Sequence, residues 1–376
     1  HLLLTRTSWG QRVRAATQDR DMLDALGVNP APLLLSVVVL GCGLAGLAGA
    51  LQLPREPAHL QMDLQMVVET FVVVVMGGLG SIAGAFYAAI LIGCVHAFGI
   101  HFFPQATLVL VFLTMALVLA VRPQGLMGEL PGAAPREKVM PFELGHANRL
   151  VQGMGWLVLA GSAISLLAIN DYTQRVLEDV LIMMLFGLSL QCMMALSGWV
   201  SFGHAAYFGL GAYAAALSHL QWQFNALSAA LMGCLVATVA ALLMGQLLLR
   251  SAGVYLAMLS LAFAQMVWAS ASQWVSLTGG DNGLIGLQFF NAMPRWQFQV
   301  ALVLLCFVSL YGFSRLVRSS FGAALQAGRD APQRAQASAL NVPQLNLRVF
   351  LVSACLAGLS GSLWAISKGA VFPSAA

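Results

Sequence analysis

The chain has 376 residues, of which 59% are hydrophobic and only 9% are charged, and its mean hydropathy is +0.82. Soluble globular proteins carry about 25% charged residues, so this composition excludes an ordinary soluble protein. The net charge of +4 is too small to indicate a nucleic-acid partner. The six cysteines show no metal-ligand spacing, and we expect neither a metal nor another cofactor. Composition therefore predicts a protein embedded in a lipid bilayer.

Apolar segments recur along nearly the whole chain. A helix needs ~20 mostly apolar residues to cross a bilayer, and about eleven segments approach that length. The segments 62–78 and 205–219 are candidates for re-entrant or broken helices. The sequence thus predicts an all-α fold, a polytopic transmembrane helical bundle of about eleven spans or re-entrant segments. The segments are 33–53, 62–78, 84–101, 105–121, 152–169, 176–198, 205–219, 226–249, 253–274, 298–314 and 347–366.

The few cations fall into three clusters, at 6–20, 122–149 and 315–348. Loops rich in Lys and Arg stay in the cytoplasm, so we expect all three clusters on that side. The predicted spans between successive clusters are even in number, as a shared side requires. The protein is therefore predicted to be multi-pass with cytoplasmic basic loops.

An internal repeat is visible in the sequence. LAGLAGAL at residues 44–51 returns as LAGLSGSL at 356–363, 312 positions later. The same offset continues upstream, without a gap, through a polar loop. Two copies of one loop and its following span are therefore predicted. Aligned pairs include Arg6 with Arg318, Gly10 with Gly322 and Ala15 with Ala327.

Between the copies, residues 123–150 are polar and contain Pro and Gly, which is linker composition. We therefore predict a first unit over 1–122, a cytoplasmic linker over 123–150 and a second, related unit over 151–376. Because the chain begins at His1 and ends directly after an apolar span, we also expect it to be an internal fragment.

Several motifs resemble the permease subunits of branched-chain amino acid ABC importers. RTSWGQRVRAATQDRDMLDALGVN, MGGLGSIAGAF and RPQGLMG are similar to the C-terminal part of the LivH-type subunit. LSGWVSFGHAAYFGLGAYAAA, SAGVYLAMLSLAFAQ, LTGGDNGLIG and RSSFGAALQAGRD are similar to the first two-thirds of the LivM-type subunit. Pro332 and Ala339 depart from the pattern, which usually has an acidic residue and a Gly there. The motifs occupy 6–29, 76–86, 122–128, 196–216, 251–265, 277–286 and 318–330.

The resemblance implies a transporter permease in a bacterial inner membrane. Its partners would be two ABC ATPase subunits, a periplasmic solute-binding protein and a branched-chain or other hydrophobic amino acid. No G-x-x-x-x-G-K-[ST] phosphate loop occurs in the sequence, so ATP hydrolysis is assigned to separate subunits and no catalytic residue is predicted. A urea or short-amide ABC permease and an ion-coupled secondary carrier stay open as alternatives.

The two basic loops are the candidate ATPase-coupling sites. Such a loop needs small residues for close approach and cations around them. Taken singly, each loop also fits a surface loop that is basic only because of topology; the duplication and the family resemblance favour coupling. The candidate coupling residues are Arg6, Gly10, Arg14, Ala15, Arg318, Gly322 and Ala327.

Glycine-rich segments and one intramembrane acid are the candidate substrate pathway. Gly lets a helix unwind at membrane depth and expose polar backbone to a solute, but it equally serves close helix packing. An ionisable residue within a span is costly and therefore suspect. A structural hydrogen-bond role for His204 stays open. The candidates are Glu69, Gly77, Gly78, Gly80, Ser81, Ser201, Gly203 and His204.

The predicted topology has a direct test. A cysteine placed at Ala134, in the linker, should react with a membrane-impermeant thiol reagent only from the cytoplasmic side. A cysteine at Asn282, in the predicted extracytoplasmic loop, should react only from the outside. Labelling of both positions from one side would contradict this arrangement.

Overall fold

The computed structural model describes most of the chain, and the predicted span 152–169 and most of the linker lie outside the described residues. The described ranges are 2–54, 57–58, 62–78, 80–122, 124–128, 171–249, 253–291 and 294–375.

Residues 2–121 form three short helices followed by four longer ones. These are α1 (Leu2–Arg6), α2 (Ser8–Gln18), α3 (Arg20–Ala25), α4 (Pro30–Gln52), α5 (Met62–Gly77), α6 (Ile82–Phe102) and α7 (Thr107–Val121). The second unit contains α8 (Asp171–Ser197), α9 (His204–Trp222), α10 (Ala226–Leu248), α11 (Val254–Gln273), α12 (Val275–Thr278), α13 (Arg295–Val317), α14 (Ser320–Asp330), α15 (Pro332–Ala337) and α16 (Val342–Lys368). Two-residue strands β1 (Leu284–Ile285) and β2 (Ala370–Val371) pair antiparallel.

The all-α prediction is confirmed, and every predicted span within the described ranges falls on a helix. Seven helices of the described residues are long and apolar enough to cross a membrane, namely α4, α6, α8, α10, α11, α13 and α16. The helices α5 and α7 are shorter, with 16 and 15 residues. At 1.5 Å per residue neither reaches the ~30 Å of a hydrocarbon core.

Glycines hold together the centre of the second unit, where α16 packs against α9 and α10. A Cβ added to Gly211 would lie 2.1 Å from the Gly358 carbonyl oxygen, and one on Gly361 would lie 1.9 Å from the Phe208 carbonyl oxygen. Real side chains never approach that closely, so only glycine permits these backbones to meet. Close contact of this kind drives helix association in lipid.

Helix α11 connects the N-terminal helices to the rest of the bundle. Helices α5 and α7 pack on it, and one apolar cluster contains residues from all three helices. Val75 and Leu119 lie in this cluster together with Leu259 of α11. The N-terminal α4 instead exposes large apolar side chains along its length, among them Leu35, Leu44, Leu47 and Leu51.

A buried ion pair fixes α8 to α13 and α16. Glu178 is 2% exposed and accepts hydrogen bonds from Arg295 Nε and Nη2, both at 3.0 Å, from Gln299 Nε2 at 3.0 Å and from Ser367 Oγ at 2.6 Å. The neighbouring Asp179 accepts from Lys368 Nζ at 2.6 Å, in a more exposed pair. Both acids are therefore held by ion pairs whose partners are distant in the sequence.

We expect the two pairs to differ in strength. Glu178→Gln removes the charge of a carboxylate that is 2% exposed and accepts hydrogen bonds from Arg295, Gln299 and Ser367, and it should cost about 3 kcal/mol of folding free energy. Asp179→Asn, one residue away, breaks an exposed pair and should cost less than about 1 kcal/mol. Thermal unfolding in detergent, followed by tryptophan fluorescence, measures both; equal losses would contradict the assigned roles.

Candidate functional site

The two candidate coupling loops fold alike. Helices α2 and α14 begin and end 312 positions apart, as do α3 and α15. The Gly10 N–H donates to Thr7 Oγ1 at 3.1 Å, and the Gly322 N–H donates to Ser319 Oγ at the same distance. A side-chain oxygen that caps these amides fixes where each helix begins. The structure thus bears out the repeat at the level of individual caps.

Gly10 and Gly322 are buried against their own chain in both copies. A Cβ on Gly10 would lie 2.4 Å from the Leu4 carbonyl oxygen, and one on Gly322 would lie 2.3 Å from the Leu316 carbonyl oxygen. Leu4 and Leu316 are themselves 312 positions apart. These glycines therefore set the turn between each short helix and the helix before it, and present no side chain to a partner.

The other candidate coupling residues form an accessible surface. Arg6, Arg14, Arg318 and Ala327 are exposed, and Ala15 is half-buried. On α14 the exposed positions recur every three or four residues, opposite the buried Leu325. Each loop therefore has one face against its own chain and one face free among the described residues.

The two loops differ in how they are anchored. Helix α14 packs on α8 and α16: Arg329 Nη1 donates to the Ala195 carbonyl at 2.6 Å, and Leu325 lies in a cluster with Leu196 and Val349. Helix α2 packs on α4, where Trp9 Nε1 donates to Ser36 Oγ at 2.8 Å.

The two departures from the family pattern leave the second loop folded. Pro332 begins α15, a position where a helix needs no backbone N–H. Ala339 has a φ of 60°, where its repeat partner Gly27 has 80°. A non-glycine residue in this region is strained, so the backbone shape is kept at a cost.

The glycines of the first candidate pathway segment pack a turn. A Cβ on Gly77 would lie 2.4 Å from the Ala85 nitrogen, and one on Gly78 would lie 2.3 Å from the Gly128 nitrogen. The segment 124–128 is held here by a hydrogen bond from the Met127 N–H to the Gly77 carbonyl at 3.0 Å.

Two further residues complete this turn. Ser81 caps α6 through the Gly84 N–H at 3.0 Å. Gly80 has a φ of 88° with open space around it. Close packing therefore explains this segment within the described residues.

The second candidate segment docks on α11. The Phe202 and Gly203 N–H groups donate to Ser260 Oγ at 3.0 and 3.3 Å. A Cβ on Gly203 would lie 1.8 Å from the Ser260 carbonyl oxygen. Ser201 is buried next to this contact, and its Oγ has no partner among the described residues.

His204 joins three helices. Its Nε2 lies 3.0 Å from Ser189 Oγ on α8 and 3.3 Å from Ser353 Oγ on α16. Both hydroxyls already donate to carbonyl groups, of Phe186 and Ser189, so Nε2 carries the proton and donates. Nδ1 is buried without a partner in the described part of the chain. This geometry fits a structural role.

Glu69 stands apart from the other candidates. It is exposed on α5, whereas Val72 and Val75 of the same helix are buried in the cluster with α11. The structure brings no other candidate pathway residue to its side chain. Whether it faces a solute pathway stays a prediction.

A cavity that sequence patterns did not reveal lies at the opposite end of α9 and α11. Its volume is about 560 Å³, and it is lined by α7, α9, α10, α11 and α12. A neighbouring cavity of about 620 Å³ shares Val109, Ser270 and Trp274 with it. Tyr213 lines the first cavity and Gln273 the second. The Tyr213 hydroxyl and Gln273 Oε1 are buried without partners among the described residues. The sequence signal that could have indicated this cavity is the presence of the polar residues Tyr213 and Gln273 within otherwise apolar helices.

Helices that cross a bilayer, broken by glycine turns and joined to duplicated basic loops, define a multi-pass membrane permease. The family model described as "Branched-chain amino acid transport system / permease component" matches residues 1–121 and 172–376. The chain belongs to this family.

Individual relatives agree. The permease protein LivM of Salmonella typhimurium is 29% identical over 222 residues, 51% of this chain and 52% of the relative. LivH of Escherichia coli is 29% identical over 122 residues, 32% of this chain and 39% of the relative. The fructose import permease protein FrcC of Rhizobium meliloti is 29% identical over 129 residues, 32% of this chain and 36% of the relative. The chain spans about half the length of the LivM relative. No solved structure matches it.

The packing of the loop glycines has a matched test. Gly322→Ala forces backbone atoms apart and should cost roughly 1–3 kcal/mol of folding free energy. Gly312→Ala, in α13, meets open space and should stabilise the helix by about 0.5–1 kcal/mol. Thermal unfolding in detergent distinguishes them; a Gly322→Ala protein as stable as wild type would show that this turn tolerates a side chain.

Proposed function

We propose that this chain is the membrane-embedded permease part of an ABC importer for branched-chain or other hydrophobic amino acids. Residues 1–122 and 151–376 would be two related permease units joined by the linker 123–150. A periplasmic binding protein would deliver the solute, and two separate ATPase subunits would drive its passage across a bacterial inner membrane. Family membership and the likeness to LivM and LivH support this proposal.

The observation that carries the proposal is the duplicated loop. A surface loop that is basic only because of topology needs no particular shape, yet both copies repeat the same cap, the same buried glycine and the same helix bounds. A docking element needs such a defined shape, because a partner must find the same surface each time. Two copies of the loop would provide one docking element for each of the two ATPase subunits.

The second loop offers a route for transmitting movement. A push on the exposed face of α14 would act on α8 through Arg329 and on α16 through Val349. Both helices belong to the core of the second unit. Small shifts there would change how α9 and α10 pack, which is how a permease would alternate its access.

The positive-inside pattern supports a cytoplasmic position for α2 and α14, where ATP is available. Two other solutes stay in competition. The likeness to FrcC favours a sugar as a second candidate, and related permeases carry urea and short amides. An ion-coupled carrier would need intramembrane carboxylates, and Glu69 is the one candidate that the sequence analysis identified.

Coupling is tested at one position in each loop, the exposed Ala327 and the half-buried Ala15. Ala15→Trp and Ala327→Trp in the assembled transporter should each lower leucine uptake and transport-stimulated ATP hydrolysis together, at least about tenfold, because a bulky residue at a central contact dominates an interface. Membrane insertion should stay normal.

Ala301→Trp, the same change at an exposed position of the span α13, is the control and should retain uptake. Normal uptake by both loop variants would mean that the loops only determine topology, and would favour the carrier alternative.

A further inference from the structure

The cavity at the outer ends of α9 and α11 has the dimensions and lining of a small-molecule site. Ligand pockets typically occupy about 300–1,000 Å³ and are mostly apolar with a few polar groups; this one measures about 560 Å³. Leu210, Met232, Val236 and Phe263 contribute to its lining. It lies where Val109 of the first unit meets the second unit.

Its polar groups are few. Besides Tyr213 and two tryptophan indoles, the polar side chains of the lining are those of Ser218, Gln221, Ser270 and Thr278. The hydroxyls of Ser218, Ser270 and Thr278 donate to carbonyl groups of neighbouring helix residues. The Tyr213 hydroxyl and, in the adjoining cavity, Gln273 Oε1 are buried with no partner in the described ranges. A buried polar group without a partner costs free energy, so both are available for a ligand.

The charge of the lining restricts the ligand. None of the described residues that line the two cavities carries a charge at neutral pH. A ligand with a net charge would therefore lose its water without gaining a charged partner in the protein. A sugar would bring many hydroxyls to a site with few free partners. A zwitterion has no net charge, and an aliphatic side chain suits the apolar wall.

We propose that this cavity binds an amino acid with an aliphatic side chain, held by Tyr213 and Gln273 at its polar end and by Val236 and Met232 along its side chain. The inference rests on the proposed function and names the solute site within it. The cavity would receive the solute at the outer end of the bundle, opposite the coupling loops.

The test compares neighbouring residues on α10 in the assembled transporter. Val236 lines the cavity, whereas Leu235 is 57% exposed on the outside of the helix. Val236→Trp should abolish leucine uptake or raise its KM at least tenfold, and should favour alanine over leucine because the side-chain space is filled. Leu235→Trp should leave the KM and the preference unchanged.

Tyr213→Phe removes one hydroxyl and should raise the leucine KM roughly tenfold, since a hydrogen bond to a charged group contributes about 1.5 kcal/mol. Membrane level and basal ATP hydrolysis should stay normal in all variants. A defect equal for leucine and alanine, with lowered membrane level, would indicate only a structural role and overturn the site.

The two proposals fail differently. Wild-type leucine import with an unchanged KM and side-chain preference in Val236→Trp and Tyr213→Phe overturns the cavity as the solute site and leaves the proposed function intact. Wild-type import of fructose or urea without leucine import overturns both the proposed function and the ligand class.

Discussion

Close contact between helix backbones is the constraint on which this structure depends. Lipid tails are as apolar as leucine, so helices within a bilayer gain little from hydrophobic burial against one another and associate mainly through packing and interhelical hydrogen bonds. At the crossing of α9, α10 and α16 an added Cβ would approach within 2.0 Å of Ser362 Oγ at Gly233 and 2.3 Å of the Ala237 Cβ at Gly358. No larger residue fits without moving a helix.

Helix α16 makes contacts with other helices from one end of the bundle to the other. Near its beginning Val349 packs beneath α14, and one turn later Ser353 meets His204. Its central glycines meet α9 and α10, and at its far end Ser367 and Lys368 bind the acids of α8. Because these contacts lie on one continuous helix, a displacement at α14 would reach the opposite half of the bundle through a single rigid element. Such a route becomes coupling only if both ends have two discrete arrangements.

Periodicity and the repeat predicted the elements well, because span length and helix caps are local properties. The first residues of α2 and α14, 312 positions apart, follow the N-caps Thr7 and Ser319. Contacts between sequence-distant residues were not predictable: nothing near Glu178 indicates Arg295, 117 positions away. The glycines at 77, 78 and 203 were predicted as pathway candidates and lie in tight packing contacts, since glycine patterns do not distinguish the two uses. The cavity around Tyr213 depends on five helices and has no local signature.

The two repeat copies show why a glycine pattern alone does not distinguish a solute pathway from close helix packing. Gly46 and Gly49 of α4 align with Gly358 and Gly361 of α16, yet an added Cβ on either of the former would meet no atom of the described residues within 4 Å. The repeat therefore reproduces caps, helix bounds and the buried side of each loop, which are local, while the tertiary partner of the small-residue face differs. A small-residue face becomes an interface only where another helix reaches it. It follows that a displacement of α14 acts on the packed helices α8 and α16, whereas a displacement of α2 acts on α4 and on the short helices α1 and α3. Coupling by the two loops must therefore be measured separately.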